Sequence, residues 1–207
     1  MHGDADSQGE ALPEHGSPED LEQRLRLVPL GDTVRGVLFN SFLETVRQEG
    51  GAEAMERCLA DMGESSFLSF FNYPVRSLLK LSYVVAWELS GKFGGFDGAM
   101  RRLGRGAVPD FFQSTVGAMM RSVAGMDAKR LISWIPIVYP AIYNHGTCKV
   151  AWTNHQSGLW SLSGTLLTPP FVESTMTHML EPCHLTAFEA RARRVGPLKT
   201  EVVFSWK

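Results

Sequence analysis

Apolar residues recur at helical spacing through the first two-thirds of the chain and at alternate positions after Gly146. The change from a period near 3.6 to a period of 2 predicts a helical part followed by strands. Asp32 or Thr33 can cap a helix that sets Val34, Leu38, Phe42 and Val46 on one stripe and ends at Gly50-Gly51. AEAMERCLADMG then aligns Met55, Cys58, Leu59 and Met62. GFDGAMRRLGRGAV reads as a short helix and turn. VPDFFQSTVGAMMRSV puts Val108, Phe111, Phe112, Thr115, Val116, Met119 and Val123 on one face. MDAKRLISW starts a further helix at Asp127, which Pro136 and Pro140 kink or stop.

Residues 70–90, FFNYPVRSLLKLSYVVAWELS, are almost without charge. Their apolar run from Leu78 to Leu89 covers about a dozen residues, broken by Lys80 and closed by Glu88, where a membrane span needs roughly 20. The stretch predicts a buried helix entered at Tyr73-Pro74 and ended by Gly91, Gly94 and Gly95.

CKVAWTN alternates with Cys148, Val150 and Trp152 on one face, and GLWSLSGTL with Trp160, Leu162 and Leu166. A hairpin pairing Trp152 with Trp160, and Val150 with Leu162, leaves the loop His155-Gln156-Ser157. HLTAFEARAR and LKTEVVFSW flank Val195-Gly196-Pro197. A three-residue loop there pairs Phe188 with Phe204 and Ala190 with Val202, with Gly196 taking the unusual backbone angles. Between the hairpins, TPPFVESTMTHML predicts a helix with Thr168 as cap, prolines in its first turn, and a stripe of Val172, Thr175, Met176 and Met179. The expected class is α+β: helices packed on a C-terminal antiparallel sheet of two hairpins joined by a helix.

VRGVLFNSFL, FNYPVRSLLKLSYVVAWEL and RRLGRGAVPDFFQSTVGAMM follow one another in an order and spacing that resemble a myxobacterial paralogous family of unknown function. Arg35-Gly36, Tyr73-Pro74 and Leu103-Gly104-Arg105 mark the three motifs, and the resemblance spans roughly residues 21–206. More distantly, the pattern is similar to haem–nitric-oxide-binding, four-vinyl-reductase-type and TRAPP-subunit domains. That resemblance implies helices on one face of an antiparallel sheet, often with a cavity between them. It implies no single activity, because such relatives bind haem, small aromatics, acyl chains or proteins. The haem sensors among them use a helix histidine and a tyrosine-serine-arginine clamp. Here no histidine lies between His15 and His145, and the clamp has no clear counterpart.

Composition adds limits. The 207 residues, 44% hydrophobic and 20% charged, suit one globular domain over 21–207. The first 20 residues are polar and acidic, without the apolar core of a secretory signal, and predict a disordered tail. A formal charge of −2 gives no general attraction to nucleic acid or an anionic membrane. Three scattered cysteines, Cys58, Cys148 and Cys183, fit a reducing cytoplasm.

The candidate chemistry is thin. His145, Cys148, His155, His178, Cys183 and His184 all fall in the last third, and of these His145, Cys148, His178 and Cys183 are the zinc candidates. Cys183 and His184 are neighbours, a poor pair on a strand. There is no G-x-S-x-G elbow, GKFGGFDG lacks the end of a P-loop, and Glu53 and Glu56 read as a solvated helix face. Arg191, Arg193, Lys199 and Glu201, with Arg101, Arg102 and Arg105, read chiefly as surface. Tyr73, Tyr83, Trp87, Phe111, Phe112, Met119 and Trp134 could line an apolar pocket, although close packing favours a filled core. The expected protein is cytoplasmic, homodimeric and non-enzymatic, without a cofactor, acting as a regulatory or interaction domain with a protein partner. Its alternatives are a sensor of a small apolar molecule or lipid, and a zinc-binding variant.

Overall fold

The computed structural model describes residues 12–63 and 66–207; the expectation of a disordered tail over residues 1–11 lies outside them. Order begins earlier than Leu21. Ser17 caps helix α1 (Pro18–Leu27) by accepting a hydrogen bond from the Asp20 amide, and Pro18 occupies the first turn. Composition misplaced this boundary because α1 is anchored by buried charge as well as apolar area: Asp20 and Arg24 are both buried.

Thr33 does not cap a helix. Strand β1 (Thr33–Arg35) pairs antiparallel with β2 (Asn72–Pro74), setting Val34 opposite Tyr73. This pairing across a long sequence separation overrides the helical spacing of Val34. Helix α2 (Val37–Met62) follows, with Gly51 at φ 86° and ψ 178° breaking it where the glycine pair predicts an end. A Cβ on Gly36 would meet the Leu68 carbonyl oxygen at 2.2 Å, so only glycine admits that approach. Arg35 Nη1 donates to Phe70 O (2.6 Å), and the Leu68 amide donates to Tyr73 Oη (2.8 Å). The Arg35-Gly36 and Tyr73-Pro74 dipeptides are thus parts of one junction.

Helix α3 (Val75–Phe93) is the buried helix expected, with Leu78, Leu79, Leu81, Tyr83, Val85 and Ala86 inaccessible and Gly94 in the left-handed region at its end. Among the described residues, no helix is long and apolar enough to cross a membrane. Helix α4 (Phe96–Gln113) runs on through Pro109, so no turn separates the two segments expected there. The break comes at Ser114, whose side chain caps α5 (Thr115–Ala124) by accepting from the Gly117 amide. That break resets the helical phase. Met119 and Val123 are consequently half exposed, and Gly117, Met120 and Ala124 face inward. A Cβ on Gly104 would meet the Phe171 carbonyl oxygen at 2.3 Å, which explains the glycine of the third motif as a helix–helix contact. Helix α6 (Ala128–Ile142) starts at Asp127, which accepts from the Arg130 amide (2.8 Å), and contains Pro136 and Pro140 without ending at either.

Strands β3 (Thr147–Trp152) and β4 (Ser157–Ser163), helix α7 (Pro169–Leu180), and strands β5 (Glu189–Gly196) and β6 (Lys199–Ser205) complete an antiparallel sheet of order β3-β4-β6-β5. Helix α6 packs against β3, and α7 against β5 and β6. The α+β class stands. Two registers differ from expectation. Val150 faces Trp160 and Cys148 faces Leu162, because Thr153 closes on Ser157 through its amide (3.0 Å) and hydroxyl (2.7 Å), leaving Asn154–Gln156 as the loop. In the last hairpin Ala190 faces Phe204 and Ala192 faces Val202, in place of the Phe188–Phe204 pairing. A bulge between Arg194 and Gly196 absorbs the difference, Pro197-Leu198 form the turn, and Gly196 keeps an ordinary φ. Both registers preserve which residues face the core, since each shift is by an even step.

Candidate functional site

The helical layer and the sheet do not close completely on each other. Leu38 of α2, Ala107, Val108 and Phe111 of α4, Met120 of α5, Ile135, Val138 and Tyr139 of α6, Tyr143 just beyond it, Trp160 of β4, and Phe171 and Met179 of α7 surround a cavity of about 110 Å³. Each comes from an amphipathic element whose apolar stripe faces inward. The lining contains no charged side chain, histidine or cysteine. Its polar atoms are mostly engaged: Thr175 Oγ1 donates to Phe171 O (2.9 Å) and Trp160 Nε1 donates to Cys148 Sγ (3.1 Å). Tyr139 and Tyr143 stack with ring centroids 5.0 Å apart. Burial raises both phenols well above the usual range, so both stay protonated.

An open cleft of about 1110 Å³ lies outside, between α2, the 66–72 segment, and the ends of α4 and α6. Leu38, Ala107, Phe111 and Ile142 line both spaces, so the two adjoin.

Of the seven apolar candidates, Phe111 lines the cavity and the others do not. Tyr73 packs edge-on against Phe67 (5.0 Å). Tyr83 donates to Asp20 Oδ2 (2.5 Å), and Trp87 donates to Gly16 O (2.8 Å). Phe112 is buried beneath the Arg121 guanidinium (5.2 Å), Met119 is half exposed, and Trp134 is half-buried. The helical stripes identified apolar positions but could not tell a core wall from a cavity wall.

The metal candidates do not converge; among the described residues no three His, Cys, Asp or Glu form a group able to hold an ion. Burial pushes the Cys148 thiol up to about 11, the wrong direction for a thiolate ligand. His178 Nδ1 hydrogen-bonds Ser174 O (2.7 Å), and Cys183 is half-buried in the 3-10 turn after α7. Cys58 is buried on α2, its thiol likewise pushed up to about 11. Of the basic residues, Arg193 pairs with Glu201 (2.7 Å), Arg102 with Glu49 (2.7 Å) and Arg101 with Glu173 (3.7 Å).

His145 is buried against the Tyr143 ring, with no hydrogen-bond partner for either ring nitrogen among the described residues. Burial lowers its pKa, opposed by Asp32 and the Thr33 backbone. The unfolded chain therefore takes up a proton near pH 6.5 that the folded chain refuses, so stability falls as pH drops through 6.5 and levels off below the folded pKa. The slope for this one group is at most about 1.4 kcal/mol per pH unit. Urea midpoints between pH 7.5 and 5.5 should show the loss, and His145→Leu should reduce it.

Sequence reasoning missed Tyr139, Tyr143, Ile135 and Val138, although the α6 pattern around Pro136 and Pro140 contains them. It also missed Asp20, Arg24 and Arg194, whose partners lie far away in sequence.

Residues 27–207 match the model of a family described as "Protein of unknown function (DUF2378)". No curated protein matches the chain in sequence. Among solved structures, the Fe(II) unliganded H-NOX protein from K. algicida is 14% identical, with TM-score 0.64, covering 84% of this chain and 96% of that one. An H-NOX protein from S. oneidensis in the Fe(II)NO ligation state is 10% identical, with TM-score 0.63 over 84% and 99% of the two chains. An oxygen-binding H-NOX domain related to soluble guanylate cyclases, in its oxygen complex, is 11% identical, with TM-score 0.63 over 84% and 95%. At these identities the likeness is one of fold.

Proposed function

From the premise that this chain belongs to the DUF2378 family and has an H-NOX-like fold, we propose that it is a non-enzymatic sensor domain whose interior cavity receives a small apolar molecule. The carrying observation is the unfilled, uncharged space of about 110 Å³ between helices and sheet, adjoining an open cleft along Phe111 and three other side chains. An engineered apolar cavity of about 150 Å³ in another protein stays dry and binds benzene or xenon, so a void of this character is a competent site for a benzene-sized guest. Natural interiors are close-packed, and a void of this size forfeits dispersion contacts that a ligand restores. The weight thus moves from an interaction domain with a filled core to the sensor alternative.

Haem does not fit this site. Pockets for drug-sized ligands span about 300–1,000 Å³, far above the roughly 110 Å³ here. Tyrosine and methionine can ligate haem iron and are present in the lining, but the histidine or cysteine of the commonest haem sites is not. A fold shared with haem proteins therefore carries a different guest. Acyl chains exceed the same volume unless the Phe111 wall opens into the cleft.

The cytoplasmic location and homodimer expected from the sequence remain part of this reading. Native mass spectrometry of freshly purified protein tests it. A retained neutral small molecule, displaced by benzene, supports the sensor; stoichiometric haem or zinc would overturn it.

A further inference from the structure

The cavity is apolar everywhere except at one place. The Tyr139 hydroxyl is buried and has no hydrogen-bond partner among the described residues; Thr165 is a polar neighbour outside hydrogen-bond geometry, and its Oγ1 already accepts from the Leu167 amide (3.0 Å). The Tyr143 ring stacks on it. One phenol thus sits on the wall of the space with its donor capacity unused.

Such a group is costly. A buried hydroxyl left without a partner loses about 1–3 kcal/mol, and native structures rarely leave one unexplained. The Tyr139 ring is held by stacking on Tyr143, and its hydroxyl remains protonated because burial raises it, so it can offer a hydrogen. The remaining walls reject charge, which has no partner there, and reject more than one or two polar atoms for the same reason.

Resting on the proposed sensor reading, we infer that the guest is a small uncharged molecule of about benzene size carrying one hydrogen-bond acceptor, a compact ketone or similar carbonyl compound, oriented by the Tyr139 phenol. The acceptor faces that phenol and the hydrocarbon part fills the space toward Phe111, Val138 and Met179. A pure hydrocarbon also enters but leaves the phenol unpaired.

The test compares cyclopentanone with methylenecyclopentane, which replaces the carbonyl oxygen by a methylene of similar shape. Affinities are measured by calorimetry for the native chain and for Tyr139→Phe, Tyr143→Phe and the double variant. The quantity read is the ratio of the two affinities, which cancels the cavity's apolar contribution. Losing the Tyr139 phenol should shift that ratio against the ketone by about five- to tenfold, as expected for one neutral hydrogen bond. Tyr139→Phe should carry most of the shift seen in the double variant. A ratio unchanged in the double variant overturns the inference while methylenecyclopentane binding leaves the sensor reading standing. Binding of neither probe by the native chain removes both. If the double variant fails to fold, the ¹³C carbonyl shift of bound labelled cyclopentanone decides: a downfield move from its value in hydrocarbon solvent supports the phenol contact, and a hydrocarbon-like value contradicts it.

Discussion

Asp20→Ala should cost about 3–5 kcal/mol of stability, because it removes the buried carboxylate that faces the largely buried Arg194 guanidinium. Asp20 is inaccessible, and its carboxylate accepts from Tyr83 Oη (2.5 Å) and the Gly16 amide (3.1 Å). Its other oxygen lies 2.7 Å from Arg194 Nη2, without the alignment of a hydrogen bond. Arg24, equally buried, donates to Leu166 O (2.6 Å). One cluster therefore ties α1 to α3 and to both the 165–166 segment and β5, and alanine would leave the Arg194 charge with little water to screen it. Asp20→Asn keeps the shape but not the charge and should fall between wild type and alanine. Combining Asp20→Leu with Arg194→Met should recover much of the loss, since apolar replacement of a whole buried pair is often neutral or stabilising. Urea midpoints of the four proteins check this. A loss under 1 kcal/mol for alanine would mean that water reaches the pair.

Leu81→Ala should destabilise by about 2–5 kcal/mol, the range for a buried leucine whose surroundings relax incompletely. Leu81 is inaccessible in the middle of α3, as is Leu78. The largely apolar stretch from Val75 to Phe93 is thus held by packing: Lys80 and Glu88 face outward, and Glu88 pairs with Arg57 (2.5 Å). A cost near zero would place this helix on a surface that the fold leaves uncovered. Leu78→Ala, one turn away, should behave alike, and their combined effect should be less than additive because they share neighbours.

The helices α3 and α7 and the strand faces were legible because their signals are local: a period, a proline at the entry, a glycine at the exit. What depended on distant partners was not. Val34 fits a helical stripe equally well as a strand position, and only Tyr73 opposite it decides. The phase of α5 hangs on one serine cap after α4 runs through Pro109. Asp20 looked like a tail residue because its stabilising contacts come from Tyr83 and Arg194, 63 and 174 residues beyond it. The cavity follows the same logic. Phe111 and Phe112 sit side by side in sequence, yet one borders the void and the other packs beneath Arg121. A hydrophobic stripe states that a side chain turns inward; it carries no record of whether the opposite wall reaches it.

Occupancy of that void is the central claim, and ¹⁹F NMR of fluorobenzene measures it most directly. The native protein should shift or broaden the resonance saturably. Ala107→Leu, which adds three carbons into the wall shared by cavity and cleft, should abolish the effect while the protein stays folded and gains stability. An effect of equal size in both proteins, or none in the native one, would contradict the account.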